Sequence, residues 1–153
     1  MILTLLLLAA QVPPGEEPVP PYAHAEANAG ATPFRDDAMF AAFHGHAGVS
    51  RIVDDLIARN LRDPRVGDIF KGQDTIRLHR LLKEHFCYVL GGGCAYTGRT
   101  MKDAHRDMGL QTADMGALVD NLQRAMQAEG VAFAAQNRFL AKLAPMKRDV
   151  VVR

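Results

Sequence analysis

Apolar residues recur three, four and seven positions apart through most of the chain after residue 34, which is the period of a helix buried on one face. The clearest stripe is Met115, Leu118, Val119, Leu122, Ala125 and Met126. It predicts a helix over Ala113–Glu129, with Thr112 as N-cap and Gly130 as the stop. A second stripe, Leu78, Leu81, Leu82, Phe86 and Val89, predicts a helix from Asp74 to Leu90. Val49, Ile52, Val53, Leu56 and Ile57 predict another over about residues 47–62. Asp63-Pro64 then reads as a cap with proline in the first turn, opening a short helix towards Phe70. A last helix is expected over most of Val131–Val150, bent at Pro145. No segment alternates with the period of a strand, so the fold class is all-α.

The first third follows other rules. Residues 1–10, MILTLLLLAA, are too short to span a bilayer but match the hydrophobic part of a secretory signal, without the usual Lys or Arg in front. The run reads as a signal segment, cleaved after Ala10 or near Ala23-His24-Ala25, or else as a lipid-facing anchor or a stretch ahead of the true start. Export would place the protein in the periplasm; without a genuine leader it stays in the cytoplasm. Six of the eight prolines fall between Pro13 and Pro33, so residues 11–33 are expected to be a disordered tether. Residues 34–153 form the domain.

Composition narrows the function more than it names it. With 153 residues and 48% hydrophobic positions, one domain can bury a core without structural metals. Eighteen basic residues against 17 acidic ones, a net charge of +1, give no footprint for nucleic acid. There is no integral membrane span. No two histidines lie three or four apart on a predicted helix, so a helical zinc pair is absent. His44 and His46 flank a glycine, which reads as a solvated turn or a weak metal site. Cys87 and Cys94 form no CxxC pair, and no CxxCH attaches a c-type haem.

One constellation is specific. A glycine run at Gly91-Gly92-Gly93 is followed by Tyr96, Gly98, Arg99, Met101, Ala104 and His105. That order and spacing resemble the truncated haemoglobins, whose motif runs Gly-Gly, then Tyr-x-Gly-Arg-x-Met-x-x-Ala-His. The resemblance spans residues 38–151: Asp63-Pro64, Phe70 and Asp74 match upstream, and Pro145-Met146-Lys147 is similar to the last helix of some bacterial group 1 members. It implies a two-over-two helical sandwich around one haem b, bound non-covalently, with His105 as the proximal iron ligand. Phe70, Leu78, Leu82, Met101, Leu118, Val119 and Leu122 would contact the haem. Arg77, Arg99 and Lys102 are candidates for its propionates.

The distal side departs from the family. Where relatives carry a tyrosine, this chain has Ile57; where they carry glutamines, it has Leu78 and Leu82; where some carry a second histidine ligand, it has Leu81. His85 follows on the same face, as a packed histidine bonded to a neighbour or, less simply, as an iron ligand. Position 44, a glycine in most members, is His44 here, so the turn need not require positive φ or runs differently. The family subset with matching cysteines suggests a Cys87–Cys94 disulfide across an eight-residue loop if the protein is exported, and two buried thiols otherwise. The resemblance implies reversible binding of O2, NO or CO at the iron, with an unidentified reductant. A haem enzyme (nitric oxide dioxygenase or peroxidase-like) and a redox or sensor module are the alternatives.

Overall fold

A computed structural model describes residues 12–152, so the expected leader, residues 1–10, lies outside the described residues. The helices are α1 (Ala38–Ala42), α2 (Gly45–Arg62), α3 (Gly67–Lys71), α4 (Thr75–Val89), α5 (Met101–Ala104), α6 (Thr112–Ala128), α7 (Phe133–Leu143) and α8 (Lys147–Val150). Short 3-10 turns occupy Glu26–Ala29 and Ala144–Met146. No strand occurs among the described residues.

Helix α2 is the hub, packing against α6, α4 and α3. Its stripe of Val49, Ile52, Val53, Leu56 and Ile57 is buried as its period requires. Phe86 and Val89 of α4, Leu122 and Met126 of α6, and Phe139 of α7 complete the core. The Phe139 ring meets Phe43 and Phe86 edge-on, with centroids 5.1 and 5.0 Å away. Asn121 Nδ2 donates to Asn60 Oδ1 and to Asp63 Oδ2, both at 2.9 Å, tying the end of α2 to α6. The Arg65 guanidinium and backbone hold the Asp63 carboxyl well below the usual carboxylate range.

Local details differ from expectation for identifiable reasons. Helix α6 begins at Thr112, so the cap is Gln111, whose N–H donates to Asp114 at 2.9 Å. Asp63 does not open a helix directly. Its carbonyl accepts from Gly67 N–H at 2.7 Å, and α3 starts only there. The terminal helix breaks at Ala144–Met146, where Pro145 removes a donor.

His44 adopts φ 64°, so the position does require the left-handed region despite lacking glycine. Its Nδ1 lies 3.0 Å from Glu129 Oε1, and Arg51 Nη2 reaches the same carboxylate at 2.6 Å. The strained turn is thereby bonded to the end of α6. The Arg51 hydrogen bond pulls the Glu129 carboxyl down to about 2. A carboxyl depressed on folding contributes stability above its usual range, lost as pH falls through its folded value. Glu129→Gln should therefore cost about 1 kcal/mol or less at neutral pH and flatten the acid-unfolding curve between about pH 4.5 and 2. Urea titrations across that range check it.

Residues 12–33, expected to be a disordered tether, instead lie along the helices. Proline content shows that a segment cannot build its own core, not that it cannot dock on another. Glu17 N–H donates to Asp74 Oδ2 at 2.8 Å, and Glu16 pairs with Arg80 Nη2 at 2.9 Å. Tyr22 Oη donates to the Thr97 carbonyl at 2.6 Å, and Asn28 Nδ2 to the Gly98 carbonyl at 3.1 Å. Ala29 is fully buried, and Phe34 N–H bonds the Val89 carbonyl at 3.0 Å. The segment is a strap running from the start of α4, past the Thr97-Gly98 loop, to the end of α4.

Cys87 and Cys94, seven positions apart, are joined in a disulfide that pins the end of α4 to the glycine loop. In the loop-entropy treatment, a closure of this length stabilises by about 2–3 kcal/mol. Reduction, or Cys94→Ser, should lower the urea midpoint accordingly while leaving helix content unchanged. Urea titrations with and without a phosphine reductant test this.

Candidate functional site

His105 closes α5 as its C-terminal cap, with φ −110°. The short helix is started by Thr100, whose hydroxyl accepts from Asp103 N–H at 3.1 Å. Before it, Gly98 lies against the Tyr96 ring, where a Cβ would meet the phenol oxygen at 2.2 Å. Only glycine fits there. Tyr96 Oη donates to the Arg99 carbonyl at 2.8 Å, so the tyrosine, the glycine and the arginine backbone form one buried turn that delivers His105.

His105 Nδ1 lies 2.7 Å from the Met101 carbonyl. A carbonyl only accepts, so Nδ1 carries the proton and Nε2 keeps its lone pair. Burial lowers the imidazole pKa, which favours the neutral ring. The result is a neutral imidazole with one oriented, unprotonated nitrogen, the state in which histidine ligates a metal.

The expected contact residues divide into two sets by burial. Phe70, Leu78, Leu81, Leu82, Met101, Leu118 and Val119 are all half-buried. Ile57 and Leu122 are buried behind them in the core. Large apolar side chains on α3, α4, α5 and α6 are thus left incompletely covered, whereas Phe86 and Val89 of α4 and Leu122 and Met126 of α6 are buried. Half-buried apolar side chains of this kind suit contact with an apolar disc such as the one the resemblance implies. This is the feature of the described residues that fits a haem.

The polar residues are arranged differently from the sequence reading. His85 is buried, and its Nε2 lies 2.8 Å from the Ala29 carbonyl, to which it donates. Burial lowers its pKa, and its ring stacks edge-on against Tyr96 at 5.3 Å. Arg77, a propionate candidate, turns to the strap, donating to the Glu17 carbonyl with Glu16 Oε2 3.6 Å from its Nε. Lys102 is exposed and Arg99 half-buried. His79 Nδ1 pairs with Asp54 at 2.8 Å, away from the site. Composition gave no sign that the strap would engage His85 and Arg77, because those contacts join residues dozens of positions apart.

Residues 38–152 match the profile of the bacterial-like globins. The chain belongs to that family. This globin is 29% identical over 106 residues to the group 1 truncated haemoglobin GlbN of Mycolicibacterium paratuberculosis, covering 69% of this chain and 78% of that protein. It is also 29% identical over 91 residues to the group 1 truncated haemoglobin of Tetrahymena pyriformis, covering 60% and 75% respectively. In fold it is similar to the solved structure of the T. pyriformis truncated haemoglobin in its Fe(III) form, with a TM-score of 0.72 and 24% identity, covering 75% of this chain and 98% of that one. The 2/2 haemoglobin of Synechococcus sp. PCC 7002, which carries covalently attached haem, gives a TM-score of 0.69 at 24% identity, with the same coverage.

Proposed function

We propose that this globin holds one haem b non-covalently, with His105 as its proximal ligand, and reversibly binds a small diatomic gas: oxygen, nitric oxide or carbon monoxide. The observation that carries the reading is the His105 ring, whose Nδ1–H donates to the Met101 carbonyl so that Nε2 is free to ligate. A ferrous haem, when bound, supplies the site where such a gas coordinates. The chain's own residues do the rest. Met101 orients the imidazole, Phe70, Leu78, Leu82, Leu118 and Val119 exclude water from the slot, and Leu122 backs them from the core. Non-covalent binding is supported by the absence of a CxxCH motif and by both cysteines being spent on each other.

Gas binding is favoured over haem-enzyme chemistry by the distal wall. Peroxidase-like or dioxygenase reactions need polar groups to stabilise developing charge. Ile57, Leu78, Leu81 and Leu82 offer none, and the His85 Nε2 proton is committed to the Ala29 carbonyl. Reversible function requires a one-electron donor to keep the iron ferrous. Export to an oxidising compartment is part of the same proposal, supported by the apolar leader and the disulfide. No helix among the described residues is long and apolar enough to cross a membrane.

Absorption spectra of the purified protein in ferric, ferrous and CO-bound forms test the reading. A ferrous form coordinated by a single histidine and converted by CO is expected; no Soret band after haem addition would overturn it.

A further inference from the structure

His44 and His46, one residue apart across Gly45, go to opposite places. His44 turns to Glu129, whereas His46, at the second position of α2, points at the disulfide. Its Nδ1 lies 3.9 Å from Cys87 Sγ and 3.9 Å from Cys94 Sγ. All three donor atoms fall within 4.8 Å of one another. The His46 ring is held edge-on to Phe40, with centroids 4.9 Å apart at 78°. Gly92 lets the wall close behind it, since a Cβ there would come within 2.7 Å of both Cys87 Sγ and the Phe40 ring. Two sulfurs and an imidazole nitrogen are therefore assembled by three separate segments, α2, α4 and the glycine loop.

That set matches a soft-metal site in its reduced form. Tetrahedral zinc with bonds of about 2.3 Å to sulfur and 2.0–2.1 Å to nitrogen sets S···N edges near 3.6 Å and S···S edges near 3.8 Å. The S···N distances already stand within a few tenths of that edge. Only the two sulfurs must separate, which breaking their bond permits. We propose that reduced Cys87 and Cys94, together with His46, bind a single zinc ion, with the fourth position open to water on the exposed side of His46.

The reduction balances with a dithiol as co-reactant. One thiolate of the dithiol attacks the Cys94 sulfur, the less buried of the pair, forming a mixed disulfide and releasing Cys87 as a thiolate. The second thiol of the reductant then displaces Cys94, and the reductant leaves as its own disulfide. Two electrons and two protons pass to the protein. Zinc binding expels the two thiol protons, leaving a site of two thiolates and one neutral imidazole. Zinc and the disulfide are thus mutually exclusive ways of fastening α4 to the glycine loop, one for reducing and one for oxidising surroundings.

The test titrates zinc into the full chain, oxidised or reduced with a phosphine, against a chromophoric chelator. Cobalt serves as the spectroscopic probe. The expected result is one more zinc per reduced chain than per oxidised chain, with thiolate-to-cobalt charge-transfer absorption in the reduced protein only. The oxidised chain retains His85 and His105, so it reports any zinc held there. Cys94→Ser should abolish the extra site, and His46→Gln, at an exposed position, should weaken it at least about tenfold with helix content unchanged. Equal zinc uptake by oxidised and reduced chains overturns the proposal, as does a His46→Gln variant that binds like the parent.

Discussion

His105→Ala should reduce haem uptake more than any other single change in this chain. Removing a partner that merely orients a metal ligand costs about 10- to 100-fold in affinity, so removing the ligand itself should cost at least that much. The cavity left by the ring lies beside the Met101 carbonyl, which remains available as an acceptor for exogenous imidazole. Added imidazole should therefore restore part of the uptake and of the ferrous spectrum. Haem titration of the parent and the variant, with and without imidazole, provides the measurement. Full occupancy with an unchanged spectrum in His105→Ala would remove this residue from the site.

Oxygen should leave this globin roughly 10- to 100-fold faster than it leaves a relative with a polar distal pair, because a charge-assisted hydrogen bond of about 1.5–3 kcal/mol is missing. Carbon monoxide gathers less charge and depends less on such a donor. Ile57→Tyr should accordingly slow oxygen loss more than carbon monoxide loss. Ile57 is fully buried and a tyrosine there overpacks the core, so Leu78→Gln, on the half-buried wall, is the gentler companion. His85→Leu should change oxygen loss little, since the His85 Nε2 proton already belongs to the Ala29 carbonyl. Stopped-flow displacement of oxygen by carbon monoxide in the four proteins distinguishes these cases. Slow oxygen loss in the parent, accelerated by His85→Leu, would make His85 the donor after all.

The helices were legible in the sequence because they rest on local rules, whereas His105 stood out only through the resemblance of its motif to the truncated haemoglobins. The stripe through Val49, Ile52, Val53, Leu56 and Ile57 needs only the helical period to be read as a buried face. Tyr96, Gly98 and Arg99 are close in sequence and in space, so their turn is written as a motif. The strap was not legible, for the opposite reason. Its bonds, such as those of Glu16 with Arg80 and of Tyr22 with Thr97, join distant positions, and no local pattern announces them. The same holds for His46, whose meeting with two cysteines depends on how α2 and α4 are packed.

The strap also has a kinetic meaning. Its contacts fall on two parts of the fold: Asp74 at the cap of α4 with Arg80 and His85 within it, and Thr97 and Gly98 on the loop ahead of α5 with Met101 beside Gly30. A belt buckled across both resists their parting, and cofactor exchange requires that they part. If the site holds haem as proposed, lifting of this proline-rich segment is one step that exchange would have to await. Such a segment has few rotatable backbone angles to regain on release, which lowers the entropy that its lifting would gain. Residence of a bound haem would then depend on residues of the strap as well as on its iron ligand.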